Sequence, residues 1–131
     1  MALEIFISGN VPSKKNTQVS TKSRALVVGP SVVRWQKLSR EDWIKHKQAF
    51  KAATKGMCPI FIHLTFIRDK DNTWDFIAPT ETVADEMVAQ GWINDDNIYE
   101  FVPHFGRPRL DRMKPGVIIK ILKSPPLYTF V

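Results

Sequence analysis

The chain has 131 residues, of which 44% are hydrophobic and 24% charged, with a formal net charge of +6. That length suits one domain with one core, the composition excludes a disordered chain, and the excess of base favours an anionic partner, nucleic acid first. Cys58 stands alone, which excludes an internal disulfide and a cysteine-based zinc site; there is no secretory leader and no run near the ~20 apolar residues of a membrane helix, so a soluble, cytoplasmic protein with no membrane partner is expected.

Leu3 to Ser8 is rich in strand formers and stops at the turn residues Gly9 to Ser13. The following loop carries Lys14, Lys15, Lys22 and Arg24 among small polar residues. That composition suits phosphate contacts and equally suits a solvated loop. Ala25 to Val28 is a short returning strand. From Ser31, read as an N-cap, the residues Val32, Trp35, Ser39, Trp43, His46 and Phe50 recur at helical spacing, predicting a helix packed on a sheet with a break near Ser39. Its tryptophans are assigned to the core. Ile60 to Ile67 is apolar on both parities, the pattern of a central strand covered on both faces. If the strand continues past Arg68, Asp69 and Asp71 project to one side and Lys70 to the other.

Thr80 to Gln90 predicts a second helix, with Thr80 as N-cap and Gly91 as its stop. Ile98 to Phe105 and Gly116 to Lys123 are predicted strands, and the link between them holds Arg107, Arg109, Arg112 and Lys114. We read that link as a hairpin loop facing DNA. The expected architecture is an α/β (α+β) fold: a small mixed β-sheet of four to five strands flanked by two main helices. It fills a single domain over residues 1–131, with 124–131 as a tail.

The acidic pairs Asp69/Asp71 and Asp95/Asp96 are the features that surface solvation explains least in so basic a chain. Two carboxylates about 5 Å apart repel by about 3 kcal/mol at an effective dielectric near 20, so gathering them requires a compensating cation. Mg²⁺, which takes one or two carboxylates together with waters and phosphate oxygens, is the expected metal, with Mn²⁺ as its substitute. A calcium loop is excluded, because its sixth position is Trp74 and its twelfth is Thr80. His46, His63 and His104 lack metal-ligand spacing, and His63 is read as a core residue.

Three segments then resemble the RusA family of Holliday-junction resolvases: Gly9-Asn10-Val11-Pro12-Ser13-Lys14-Lys15, Arg68-Asp69-Lys70-Asp71-Asn72 and Gly91-Trp92-Ile93-Asn94-Asp95-Asp96. They look like that family's Gly-x-Pro-x-x-Lys, Asp-x-Asp-Asn and Gly-(hydrophobic)-x-x-Asp-Asp signatures, in the same order. The resemblance implies a homodimeric, Mg²⁺-dependent endonuclease that binds four-way DNA junctions and cuts them symmetrically. It implies catalytic roles for Asp69, Asp71 and Asp96, with Asp95 as a supporting metal ligand. The chain departs from the family at a functional lysine one turn past the second aspartate, where Asp75 or Glu81 stands.

On this reading, Asp69, Asp71 and Asp96 hold Mg²⁺ facing the scissile phosphate, and Lys14, Lys15, Lys70, Arg107, Arg109, Arg112 and Lys114 contact DNA. The rivals are a non-catalytic junction-binding dimer on the same scaffold and a small basic protein that binds protein or RNA.

Overall fold

The apolar run that follows Pro59 becomes the axis of the molecule. In the computed structural model, which describes residues 3–13, 18–19, 26–27, 29–71, 74 and 77–125, the elements in chain order are β1 (Glu4–Ser8), β2 (Gln18–Val19), β3 (Leu26–Val27), α1 (Pro30–Ala53), β4 (Ile60–Arg68), α2 (Ile77–Ala89), β5 (Phe101–Phe105), β6 (Arg109–Leu110) and β7 (Gly116–Leu122). The main sheet runs β1-β7-β4-β5, with β6 also paired to β4, while β2 and β3 form a separate antiparallel ribbon. β1 and β4 both lie antiparallel to β7, whereas β5 and β6 lie parallel to β4. This is the mixed five-stranded sheet with two main helices that the sequence predicts.

Strand alternation divides the sheet. Ile5 and Ile7, Val117, Ile119 and Ile121, and Ile62, Leu64 and Phe66 share one face by register. They join Trp35, Trp43 and Phe50 of α1 and Val83, Ala84 and Met87 of α2 in one core. Burying each of these large apolar side chains contributes about 1.5–3 kcal/mol. The other face carries Phe6, Ile118, Phe61, Leu122 and a polar row, Glu4–Lys120–His63–His104, aligned across four strands. These residues are exposed or half-buried. The helices therefore cover one face of β4, where the sequence pattern predicts cover on both.

α1 is continuous through Ser39. The Ser39 hydroxyl donates to the Trp35 carbonyl at 2.7 Å and accepts from Trp43 Nε1 at 3.1 Å, so a buried polar residue is satisfied without breaking the helix. Gly29, not Ser31, is the N-cap, and Pro30 opens the helix where a missing N–H costs nothing. α2 likewise starts three residues before the expected Thr80, because Pro79 fits in a first turn whose N–H groups have no helical partner. Gly91 ends it with φ +76°. Trp35, Trp43 and Trp92 are core: Trp92 packs 4.9 Å from Trp43 and 4.6 Å from Phe50, and its Nε1 donates to the Trp43 carbonyl at 3.1 Å.

One predicted strand shortens at its start. β5 begins only at Phe101, because Asn97 to Glu100 form a turn closed by the Glu100 and Phe101 N–H groups on the Asn97 carbonyl. Pro103 is accommodated because β5 lies at the edge of the described main sheet. The segment 106–115 is not a hairpin loop, since β5 and β7 lie on opposite sides of β4. It crosses the C-terminal end of β4 instead, pausing as β6 against Ile67 and Arg68.

Candidate functional site

Sequence and topology together bring one acidic pair into a built setting. Arg68, the last residue of β4, donates from its guanidinium to the Val11 carbonyl at 2.9 Å and lies 5.5 Å from the centre of the Trp74 ring. The next N–H, that of Asp69, donates to Asn10 Oδ1 at 3.1 Å. The turn after β1 and the end of β4 are thereby tied together, and Asp69 is held half-buried at the junction. Lys70 and Asp71 are exposed. The strand ends at Arg68 and the chain bends at Asp69 and Lys70, so the continuation on which strand alternation would set the two carboxylates on one side is not present. Asn72, Asp75, Lys14 and Lys15 lie outside the described residues.

The crossing segment reaches this same end. Asp111 donates its N–H to the Arg68 carbonyl at 2.8 Å, and its Oδ1 accepts from the N–H groups of Met113 (2.9 Å) and Lys114 (3.1 Å). A carboxylate that sequence reasoning passed over thus shapes the turn bearing Arg112 and Lys114. Arg107, Arg109, Arg112 and Lys114 are all exposed. The first turns of α2 belong to this end as well, because the Thr82 hydroxyl donates to the Pro12 carbonyl at 2.8 Å. A helix N-terminus favours negative charge near it.

Asp95 and Asp96 are elsewhere. Asp95 Oδ1 accepts from the Asp96 N–H at 2.8 Å and its Oδ2 from Asn97 Nδ2 at 3.0 Å. The Asn97 amide first, then the Asp96 N–H, hold the Asp95 carboxyl below the ordinary carboxylate range. This turn leads directly to Glu100, whose carbonyl accepts from Ile60 N–H at the start of β4. β4 is nine residues long, about 30 Å at the usual rise, and separates Ile60 from Asp69. The 13 residues of α2, about 20 Å, run back between the same ends.

The expectation that the two acidic pairs meet is therefore corrected for a single chain. A motif that follows a strand and one that follows the returning helix fall at opposite ends of the sheet. Among the described residues, no three histidine, cysteine or acidic side chains gather as a metal-binding group. What Asp69 and Asp71 offer alone is one or two carboxylates beside a cationic loop, a donor set compatible with Mg²⁺ when phosphate oxygens and water complete the shell.

The polar row on the helix-free face is the other feature the sequence did not signal, since its members come from four strands. His63 is held below the ordinary histidine range by burial first, then by the Lys120 ammonium and by His104, against an opposing pull from Glu4. Among the described residues, no helix is long and apolar enough to cross a membrane. No protein-family model matches the chain, and no curated protein aligns with it significantly.

Proposed function

We propose that the protein is a metal-dependent endonuclease acting on branched DNA, four-way junctions above all, as a homodimer. The observation that carries this reading is the seating of Asp69 by Asn10 and Arg68 at the sheet end crossed by the cationic segment 106–115. An acidic centre with a basic rim is the electrostatic form suited to a polyanion cut at one phosphate. The resemblance of the three motif segments to RusA-type resolvases points the same way.

The rim residues Arg107, Arg109, Arg112 and Lys114 bind backbone phosphates, while Asp69 and Asp71 hold the divalent ion. That ion supplies charge neutralisation at the phosphate and a more acidic bound water. Asp96, with Asp95 fixing its turn, reaches the same phosphate only from a second chain. The proposed dimer is therefore isologous, with the Asp71 end of each protomer set against the Asp96 end of its partner.

Labelled four-way junctions, flaps and linear duplex, incubated with and without Mg²⁺ or Mn²⁺, test the reading. Paired symmetric cuts in the junction, lost in Asp71→Asn, are expected. Junction binding without cutting in either metal would instead support the non-catalytic junction-binding dimer, which the separation of the two acidic pairs favours. Equal affinity for junction and duplex would remove both.

A further inference from the structure

The helix-free face of the sheet holds a second feature beside the acidic end. A cavity of about 330 Å³ opens between β1, β7, the end of β4 and the 111–114 turn, lined by Glu4, Phe6, Ile67, Asp111, Lys114 and Ile118. Strand register sets its shape. Glu4 lies level with His63, Phe6 and Ile118 with Thr65, and Ile67 with Gly116. Asp111 follows at the level of Arg68. The cavity is thus a slot along the strands with a carboxylate at each end and an apolar floor of Phe6, Ile118 and Ile67 between them.

Gly116 allows the aromatic wall. A Cβ at that position would collide with the Ile7 carbonyl and lie 2.5 Å from Cζ of Phe6, so the ring lies where any larger residue would exclude it. The Lys114 ammonium stands 4.9 Å from the centre of that ring. It is exposed, where a contact of this kind is weak, so a base that stacks on the ring has to displace the ammonium, which a charge-assisted hydrogen bond to phosphate would then hold.

An apolar floor that includes the Phe6 ring, carboxylate acceptors at the ends and one exposed cation describe complementarity to a specific chemistry. The occupant must be planar, carry N–H donors on its edge and bear an anionic group. We propose that this slot binds an unstacked nucleobase with an exocyclic amine, adenine, cytosine or guanine, with its phosphate on Lys114. The proposal rests on the reading of the protein as DNA-binding and deepens it. Because Asp111 is bonded to the residue preceding Asp69, a base held here belongs to a nucleotide next to the phosphate at the acidic pair. Base-edge donors engage the Glu4 carboxylate, since a base is too short to reach both ends of the slot and Asp111 Oδ1 already accepts from the Met113 and Lys114 N–H groups; this gives the protein a means of preferring some nucleotides over thymidine at that position.

The test is an amide-shift titration of the full-length ¹⁵N-labelled protein in EDTA, with dCMP, deoxycytidine, dAMP, dTMP, deoxyribose 5-phosphate and N-acetylarginine amide as probes. Shifts at Phe6, Ile67, Asp111 to Lys114 and Ile118 are expected with dCMP and dAMP, with weaker binding of dTMP. Phe6→Leu, which keeps an apolar side chain on the strand, should weaken dCMP by about tenfold, the loss of one base–aromatic stack. Lys114→Gln should reduce the preference for dCMP over deoxycytidine.

Equal binding of deoxyribose 5-phosphate, or tighter binding of the arginine probe, would overturn the proposal, as would shifts confined to other surfaces. A wild-type chain that binds dCMP in the slot but cuts no junction would retire the nuclease reading alone; cleavage without any slot shifts would retire the nucleobase site alone.

Discussion

If each acidic centre is shared between two chains, mutations at its two halves should complement one another. Asp71→Asn disables the half-site beyond β4, and Asp96→Asn disables the half-site beyond α2, some 20–30 Å away by the lengths of those elements. In a homodimer of either variant, both centres lack a carboxylate. A dimer with one chain of each kind is different: one centre collects both lesions and the other collects none. When equal amounts are unfolded together and refolded, about half the dimers are mixed, and about one quarter of the wild-type number of intact centres is recovered. The assay is single-turnover cleavage of a labelled four-way junction. Each parent alone should be inactive, and the mixture should nick single strands at about a quarter of the wild-type rate without producing the paired cuts of full resolution. Mixed dimers verified by two different affinity tags that cut no better than either parent would refute the shared centre. Each acidic pair would then have to act within its own chain, which the topology does not permit for a common ion.

Further outcomes follow from particular side chains. Replacing Arg107, Arg109, Arg112 or Lys114 singly with Gln should lower the slope of log affinity against log salt by about 0.9 for each phosphate no longer neutralised, read by anisotropy across a salt series; an unchanged slope marks a residue that does not touch phosphate. Because His63 is held below its ordinary pKa of 6.5, the unfolded chain takes up a proton that the folded chain resists. Its contribution is therefore fully present above about pH 6.5 and declines as pH falls from there toward the lower folded value. Urea melts of wild type and His63→Gln should show a smaller acid-side loss in the variant. Ser39→Ala removes the buried acceptor of Trp43 Nε1 and should cost about 1–3 kcal/mol in the same melts, with a fall in Tm; a change within error would mean that another partner takes up the indole N–H.

The fold was legible where side-chain pattern alone decides. The run Ile60 to Ile67 marks a central strand because apolar residues on both parities suit few other places, and the spacing from Val32 to Phe50 marks the helix beside it. Boundaries failed where the deciding partner is distant or the local signal ambiguous. Ser39 resembles a helix start until Trp43 occupies its hydroxyl. Ile98 and Tyr99 have strand-forming side chains, but the Asn97 carbonyl closes a turn over them. The role of segment 106–115 depended on a pairing order that adjacency in sequence misrepresents. Two strands joined by ten residues are read as a hairpin by default, and here β4 lies between them.

The candidate site was read from the sequence as chemistry, and its geometry within one chain was misjudged, although the correction was available from topology. A helix linking two parallel strands must run antiparallel to them, so whatever follows the strand and whatever follows the helix occupy opposite ends of the unit. Asp69 and Asp71 follow β4, and Asp95 and Asp96 follow α2, which fixes their separation once both elements are accepted. Charge repulsion strengthens the point: nothing in one chain forces these carboxylates together, so the cost of gathering them arises only in an assembly with a cation present. A function that depends on both pairs is therefore a function of the dimer, and metal and DNA should promote dimerisation as well as cleavage. Sedimentation of wild type and Asp71→Asn, with and without Mg²⁺ and junction, measures this directly. An association constant indifferent to metal, DNA and the substitution would mean that the two acidic pairs never face one another.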